Sequence, residues 1–132
     1  MATDQMKRRD INANDAPQPV GGYSQAVELT GAERIVFVSG QIPVAADGKL
    51  PSGFEAQAHQ AWANLIAQLH AAGMTLDNLV KVTIFLSDRK YIPEYRRVRQ
   101  EVLAGRAIGL TTIITGIFDE QWLLEIEGIA AA

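Results

Sequence analysis

Residues 110–130 read LTTIITGIFDEQWLLEIEGIA, two β-rich apolar runs that flank a short polar break. The run from Leu123 to Ile129 alternates, which predicts a strand whose carboxylates, Glu125 and Glu127, share one face with apolar neighbours. The run from Thr111 to Ile117 is apolar on both faces, so we expect helices to cover one side and another subunit the other. Glu125 and Glu127 are therefore the first indication of a site.

The composition is that of a globular protein: 132 residues, of which 48% are hydrophobic and 20% charged. This length predicts one domain over residues 1–132, with Met1–Gln5 as a flexible terminus. A net charge of −3 and a single basic cluster, Lys7–Arg9, argue against nucleic acid or an anionic membrane as a partner. No long apolar segment is present and cysteine is absent, which favours a cytoplasmic protein with no membrane span and no disulfides.

The rest of the chain predicts a mixed sheet with both helices on one face, in the α+β class. Helical spacing of apolar residues predicts a first helix from Phe54, with a capping box at Ser52–Glu55 and a stop at Gly73. A second helix should begin at Pro93. The predicted strands are Arg8–Ile11, Gln25–Leu29, Ile35–Ser39 and Leu79–Leu86, and Thr30–Arg34 is a hairpin signal between the second and third. The face without helices is predicted to be apolar and buried in an oligomer.

Two groups of polar side chains lie on the predicted helices. His59 and His70 are too far apart along the first helix to bind one metal, so no metal site is expected. Arg96, Arg97 and Arg99 lie on or beside the outer face of the second helix. Either all three form a solvated basic face, or one of them points into a cleft between subunits.

Several motifs together resemble the RidA/YjgF/UK114 (Rid) family of small trimeric proteins, over about residues 15–130. The motifs are Gly22-Tyr23-Ser24-Gln25, Val38-Ser39-Gly40-Gln41-Ile42-Pro43, Ala71-Ala72-Gly73, Val80-Lys81-Val82-Thr83-Ile84-Phe85-Leu86 and Leu124-Glu125-Ile126-Glu127-Gly128-Ile129-Ala130. Each is weak alone, but their common order and spacing are specific. The resemblance implies a chorismate-mutase-like fold with a six-stranded mixed sheet, and a homotrimer with a barrel-like core and three clefts between subunits.

The resemblance also implies a chemistry. Active relatives hydrolyse reactive 2-imino acids and their enamine tautomers to 2-keto acids and ammonia, without a metal or an organic cofactor. By position, Glu125 would orient the attacking water, and the N–H of Gly40, in the loop with Ser39, would bind the substrate carboxylate. Tyr23 would line the cleft, and Thr112 would supply backbone contacts.

This chain departs from the family pattern at the substrate position. The arginine that binds the substrate carboxylate in such relatives is replaced by Leu110, and the usual glycine-proline before the tyrosine is Gly21-Gly22. A bidentate arginine–carboxylate contact contributes roughly 1.5–3 kcal/mol, so its loss should weaken binding about 10- to 100-fold. Arg96, Arg99 or Arg106 are the candidates that could restore the charge.

Two functions therefore remain open. The first is an enamine or imine hydrolase whose small-molecule substrate is altered by Leu110, with Glu125 as general base. The second is a non-catalytic homotrimer that binds a metabolite or a partner in its clefts. A ribonuclease, an activity also attached to the family, is disfavoured by the acidic composition and by the lack of a catalytic histidine near stacking aromatics.

Overall fold

Six strands and two helices make up most of the computed structural model, which describes residues 5–132; the predicted flexible terminus before Gln5 lies outside the described residues. The strands are β1 (Lys7–Ile11), β2 (Ala26–Thr30), β3 (Ile35–Gln41), β4 (Leu79–Leu86), β5 (Gly109–Ile114) and β6 (Leu124–Ala131), and the helices are α1 (Phe54–Ala71) and α2 (Ile92–Leu103). Short 3-10 turns at Leu76–Asn78 and Arg89–Tyr91 precede β4 and α2. Within residues 5–132 no helix has the length and apolar character needed to cross a membrane.

The central sheet has the strand order β3-β6-β4-β5. The β4–β5 pair is parallel, and the β3–β6 and β4–β6 pairs are antiparallel, so the sheet is mixed as predicted. β1 and β2 form a separate two-stranded antiparallel sheet, which a parallel bridge between Ser24 and Gly109 connects to the β5 edge. The predicted α+β class is thus confirmed, with the six strands divided between two hydrogen-bonded sheets.

The predicted hairpin between the second and third strands is wrong. β2 pairs with β1, whereas β3 pairs with β6. Gly31 has a left-handed φ of 75°, so a turn does form there, but a turn signal does not decide which strands pair. Partner choice depends on burial: Val38 of β3 belongs to the hydrophobic core, while the residues of β2 are exposed or only partly buried.

α1 covers the sheet because its apolar residues recur on one face. Trp62, Leu65 and Leu69 are almost completely buried, and Gly73, with φ 74°, ends the helix as predicted. The predicted capping box is absent. The N-cap residue is Gly53, which places Ser52 one residue too early for its side chain to cap the helix.

α2 packs against α1 and lies over β5, where its Tyr95 is hydrogen-bonded to Thr112. Pro93 stands in its first turn as predicted, and Ala104 and Gly105, both left-handed, end it. Phe54 of α1 stacks on Tyr91, with ring centroids 4.6 Å apart. The two helices therefore cover one face of the sheet together, and the space between α2 and β5 is left for a cavity.

The open face of the sheet, opposite the helices, is mixed and not uniformly apolar as predicted. Phe37 on this face is 75% exposed and pairs with Ile129, but the same face carries Lys81 and Glu127. Burial lowers the pKa of the Lys81 ammonium, and the Glu127 carboxylate raises it in partial opposition. The prediction failed because it extended the apolar character of β5 to the whole face, although β4 and β6 each contribute polar residues there.

Candidate active site

A β-bulge in β3 creates the first part of the candidate site. Val38 pairs with Gly128 and Gln41 pairs with Ile126, so Ser39 and Gly40 together lie opposite a single residue of β6. Bulges of this kind redirect side chains and are frequent beside active sites. Asn64 of α1 fixes the following loop, because its amide donates to the carbonyl oxygens of Ile42 and Val44 at 2.8 and 2.9 Å.

Glu125 and Gly40 come into direct contact at this bulge. A Cβ atom at position 40 would lie only 2.2 Å from Oε2 of Glu125 and 2.8 Å from its carboxyl carbon, so the carboxylate occupies space that only glycine leaves free. Glu125 also lines a cavity of about 260 Å³ whose other walls include the aromatic residues Phe85 and Phe118. Within residues 5–132 no hydrogen bond or ion pair engages this carboxylate, so its oxygens can accept hydrogen bonds from a bound molecule.

A second cavity, which we call the α2–β5 cavity, has a volume of about 360 Å³. Three of the predicted site residues line it, namely Tyr23, Leu110 and Thr112. Leu110 and Thr112 lie on the helix side of β5, since they pair with the buried residues Val82 and Ile84. Among residues 5–132 its lining is Val20, Tyr23, Ile92, Tyr95, Arg96, Arg99, Leu110, Thr112 and Ile114.

The loop that carries Tyr23 is fixed to the start of β5. The backbone N–H of Ser24 donates to the carbonyl of Ile108 at 2.8 Å, and Ser24 itself is buried. Gly21 before it has φ 94°, a conformation that side chains other than glycine rarely adopt. This arrangement places the Tyr23 ring at the mouth of the α2–β5 cavity.

Arg99 is buried, so the first of the two alternatives for the helix arginines, a solvated basic face, is wrong for this residue. It is 5% exposed, its Nη1 donates to the Tyr95 hydroxyl at 2.7 Å, and its Nη2 donates to the Gly21 carbonyl at 3.0 Å. Tyr95 is also buried, and Arg99 follows it by four residues, one helical turn later on the same side. That spacing was the signal by which the sequence could have identified both residues as part of the site.

The other candidate arginines differ in position. Arg96 is exposed and lines the α2–β5 cavity, so it accompanies Arg99 there. Arg97 is paired with Glu55 at 3.0 Å on the outer surface, as expected for a solvated side chain. Arg106 donates through Nε to Asp77 at 2.7 Å and does not line this cavity. Arg96 and Arg99 therefore line the same cavity as Leu110, and Arg106 is held elsewhere.

Ser39 lies on the open face of the sheet, beside the contact between Gly40 and Glu125. It lines a cavity of about 310 Å³ together with Lys81, Thr83 and Glu127. Lys81 Nζ donates to the Thr111 hydroxyl at 2.8 Å in the same region. These polar groups all lie on the open face of the sheet.

The histidines are not placed to form a site. His59 and His70 are both exposed, and His59 lies 3.9 Å from Glu101. Among residues 5–132, no group of three histidine, aspartate or glutamate side chains is arranged to bind a metal ion.

The predicted site residues therefore form two clusters on opposite faces of the sheet. Glu125 pairs with Phe85, and Phe85 pairs with Ile113, so all three lie on the open face. Leu110 is three residues before Ile113 in β5 and must lie on the other face. Within one chain, Gly40 and Glu125 form one cluster, and Tyr23, Leu110 and Thr112 form the other. The fold of a single chain does not bring the two clusters together.

Comparison with known proteins identifies the family. Residues 13–132 match the family model described as Endoribonuclease L-PSP. A RutC family protein of Aquifex aeolicus is 36% identical over 120 residues, covering 90% of this chain and 94% of the relative. The 2-iminobutanoate/2-iminopropanoate deaminase of Mus musculus is 40% identical over 125 residues, covering 93% of this chain and 90% of the mouse enzyme.

A solved structure supports the same assignment. The crystal structure of YyfB from Yersinia pestis, a Rid family protein of unknown function, matches with a TM-score of 0.84 and 26% identity, covering 95% of this chain and 98% of that chain. The family model and the relatives cover nearly the whole length of the chain, and the predicted resemblance is confirmed. The chain therefore belongs to the Rid/YjgF family.

Proposed function

We propose that this protein is an imine or enamine deaminase, which hydrolyses the C=N bond of a reactive imine, or of an enamine after it tautomerises to the imine, and releases ammonia. The contact between the Glu125 carboxylate and the bare α-carbon of Gly40 is the observation that carries this proposal. The unpaired Glu125 carboxylate lies beside the β3 bulge and lines a cavity whose walls include the aromatic rings of Phe85 and Phe118. A carboxylate in this position can activate a water molecule.

In the proposed reaction, Glu125 accepts a proton from a water molecule whose oxygen attacks the imine carbon. The imine nitrogen takes up a proton from solvent, so that attack gives a neutral carbinolamine, whose C–N bond breaks as its hydroxyl proton is released to solvent. Glu125 returns its proton to the departing nitrogen, so that one imine and one water give one carbonyl compound and one ammonia. These steps need a single group that alternates between base and acid, and a carboxylate can serve in both roles.

The separation of the two clusters favours an active site completed between subunits. Glu125 and Gly40 lie on the open face of one chain, whereas Leu110, Tyr23 and Thr112 lie near the β5 edge and under α2. If the open face of one subunit packs beside the β5 edge of the next, the two clusters can meet in one cleft. We therefore propose a homotrimer with three such clefts, each of which takes a small molecule.

The homotrimer predicts a mass in solution three times the 14.4 kDa of the chain, measured by analytical ultracentrifugation. Phe37→Asp should dissociate the trimer, because Phe37 is 75% exposed on the open face and a buried unpaired carboxylate is costly. Gln68→Asp, on the exposed side of α1, is the matched control and should leave the mass unchanged. A monomeric parent protein would contradict the proposal.

The reaction can be tested by ammonia release from freshly generated imines. We expect turnover of at least one member of a panel that contains 2-iminopropanoate, 2-iminobutanoate and 2-aminomuconate. Because Leu110 removes a guanidinium from the strand, we expect the two simple imino acids to be processed less well than by relatives with arginine at this position. An intact trimer that turns over none of them, but is stabilised by a metabolite that it does not consume, would instead support the non-catalytic binding function.

A further inference from the structure

The strongest unexplained feature of the molecule is the buried charge of Arg99. Arg99 is 5% exposed, yet its hydrogen-bond partners among residues 5–132 are neutral, the Tyr95 hydroxyl and the Gly21 carbonyl. Among residues 5–132 the acidic side chains that form ion pairs do so with other basic residues. Charged side chains are almost never fully buried without a counter-ion, because desolvation of an unpaired charge is costly. Arg99 therefore lacks the anion that such a position normally contains.

The surroundings of Arg99 leave room for that anion. Arg99 and Arg96 both line the α2–β5 cavity, and no aspartate or glutamate of residues 5–132 lines it. The remaining lining is aromatic, aliphatic or hydroxyl-bearing, and the volume of about 360 Å³ is within the range of small-molecule sites. Two like charges beside a partly apolar wall produce a positive potential that attracts an anionic group.

The guanidinium is also held in a fixed orientation. It stacks over the Tyr95 ring, with 5.1 Å between the guanidinium carbon and the ring centroid. The Tyr95 hydroxyl connects it to Thr112 on β5, with an oxygen–oxygen distance of 2.5 Å. A Cβ atom at Gly21 would lie 3.2 Å from Nη2, so glycine at this position allows the loop to approach. Contacts of this kind preorganise an arginine for a planar, bidentate ligand.

We propose that Arg99, assisted by Arg96, binds the carboxylate of the ligand in the α2–β5 cavity. The positive charge absent at Leu110 on β5 is supplied from the adjacent helix across the same cavity. The ligand class is then a carboxylate-bearing small molecule whose anionic group is recognised from α2. That this ligand is the substrate rests on the proposed deaminase function, whereas carboxylate binding itself does not.

Equilibrium binding of two unreactive carboxylates, pyruvate and cis,cis-muconate, to the native assembly at low ionic strength tests the proposal. We expect at least one of them to bind, and Arg99→Met to weaken its binding about 10- to 100-fold. Arg99→Lys should bind with intermediate affinity, because lysine keeps the charge but loses the planar fork. Arg96→Met, at an exposed position where folding should not be affected, should weaken binding several-fold.

Arg97→Met is the matched control, since Arg97 lies on the same helix but is paired with Glu55 outside the cavity. It should bind both carboxylates as the parent does. The proposal is overturned if neither carboxylate binds to the parent. It is also overturned if Arg99→Met folds and binds the carboxylate as tightly as the parent does. If Arg99→Met does not fold, the same result for Arg96→Met overturns the proposal. Arginine-dependent binding of a carboxylate without turnover of any imine would support this inference and count against the deaminase function. Imine turnover without arginine-dependent carboxylate binding would support the deaminase function and count against this inference.

Discussion

Replacement of Glu125 by glutamine is expected to lower kcat/KM for imine hydrolysis by about 100- to 10,000-fold, the range typical for loss of a general acid–base group. Glutamine has nearly the same shape, but its amide cannot accept the proton of the attacking water. The change should appear in kcat, because the carboxylate acts on water and not on the bound anionic group of the substrate. Ammonia release under single-turnover conditions, with the substrate generated in place, measures it.

Glu127→Gln is the control for this variant. Glu127 lies on the same strand and the same open face, but it pairs with Thr83 and lines the cavity that contains Ser39 and Lys81. We expect its turnover to remain within a few-fold of the parent. If Glu125→Gln retains full activity in an intact trimer, Glu125 is not the general base, and the proposed reaction loses the group on which it depends.

The sequence predicted the elements whose patterns are local. β4 spans Leu79–Leu86 as predicted, and its Val82, Ile84 and Leu86 are fully buried beneath the helices. α1 begins at Phe54 as predicted, because its apolar spacing depends only on residues within the helix. The hairpin and the capping box failed for different reasons. The hairpin failed because strand pairing depends on which strands are buried in the complete sheet. The capping box failed because the capping side chain must stand at the N-cap position itself, and a shift of one residue removes it.

The division of the candidate site could not be read from the sequence. Alternation shows that Leu110 and Ile113 lie on opposite faces of β5, but it does not show on which face Glu125 lies. That relation depends on the register that pairs Glu125 with Phe85 and Phe85 with Ile113, which is a property of the folded sheet. The cavity that contains Arg99 is likewise formed only when α2 packs over β5. The sequence could identify the residues of this cavity as candidates, but it could not show that they converge on one cavity.

Gly40→Ala is expected to reduce activity nearly as much as the loss of Glu125, with little effect on stability. The added methyl group would lie 2.2 Å from Oε2 of Glu125, closer than any real contact, so the carboxylate must move away. The backbone of Gly40 does not have a positive φ, and the displaced atoms are the end of a flexible side chain. We therefore expect the free energy of unfolding to change by less than about 1 kcal/mol, as measured by urea denaturation.

Gly128→Ala provides the opposite pattern and serves as the control. Its Cβ atom would meet the methyl groups of Leu79 and Leu65 at 3.2 and 3.3 Å in the core, which should lower the free energy of unfolding by about 1–3 kcal/mol. The protein that remains folded should stay active, because Glu125 is not displaced. Gly40→Ala should cost little further activity when Glu125 is already glutamine, since both changes remove the same positioned group. Additive losses in the double variant would mean that Gly40 acts independently of the carboxylate, and the contact between them would then not explain the chemistry.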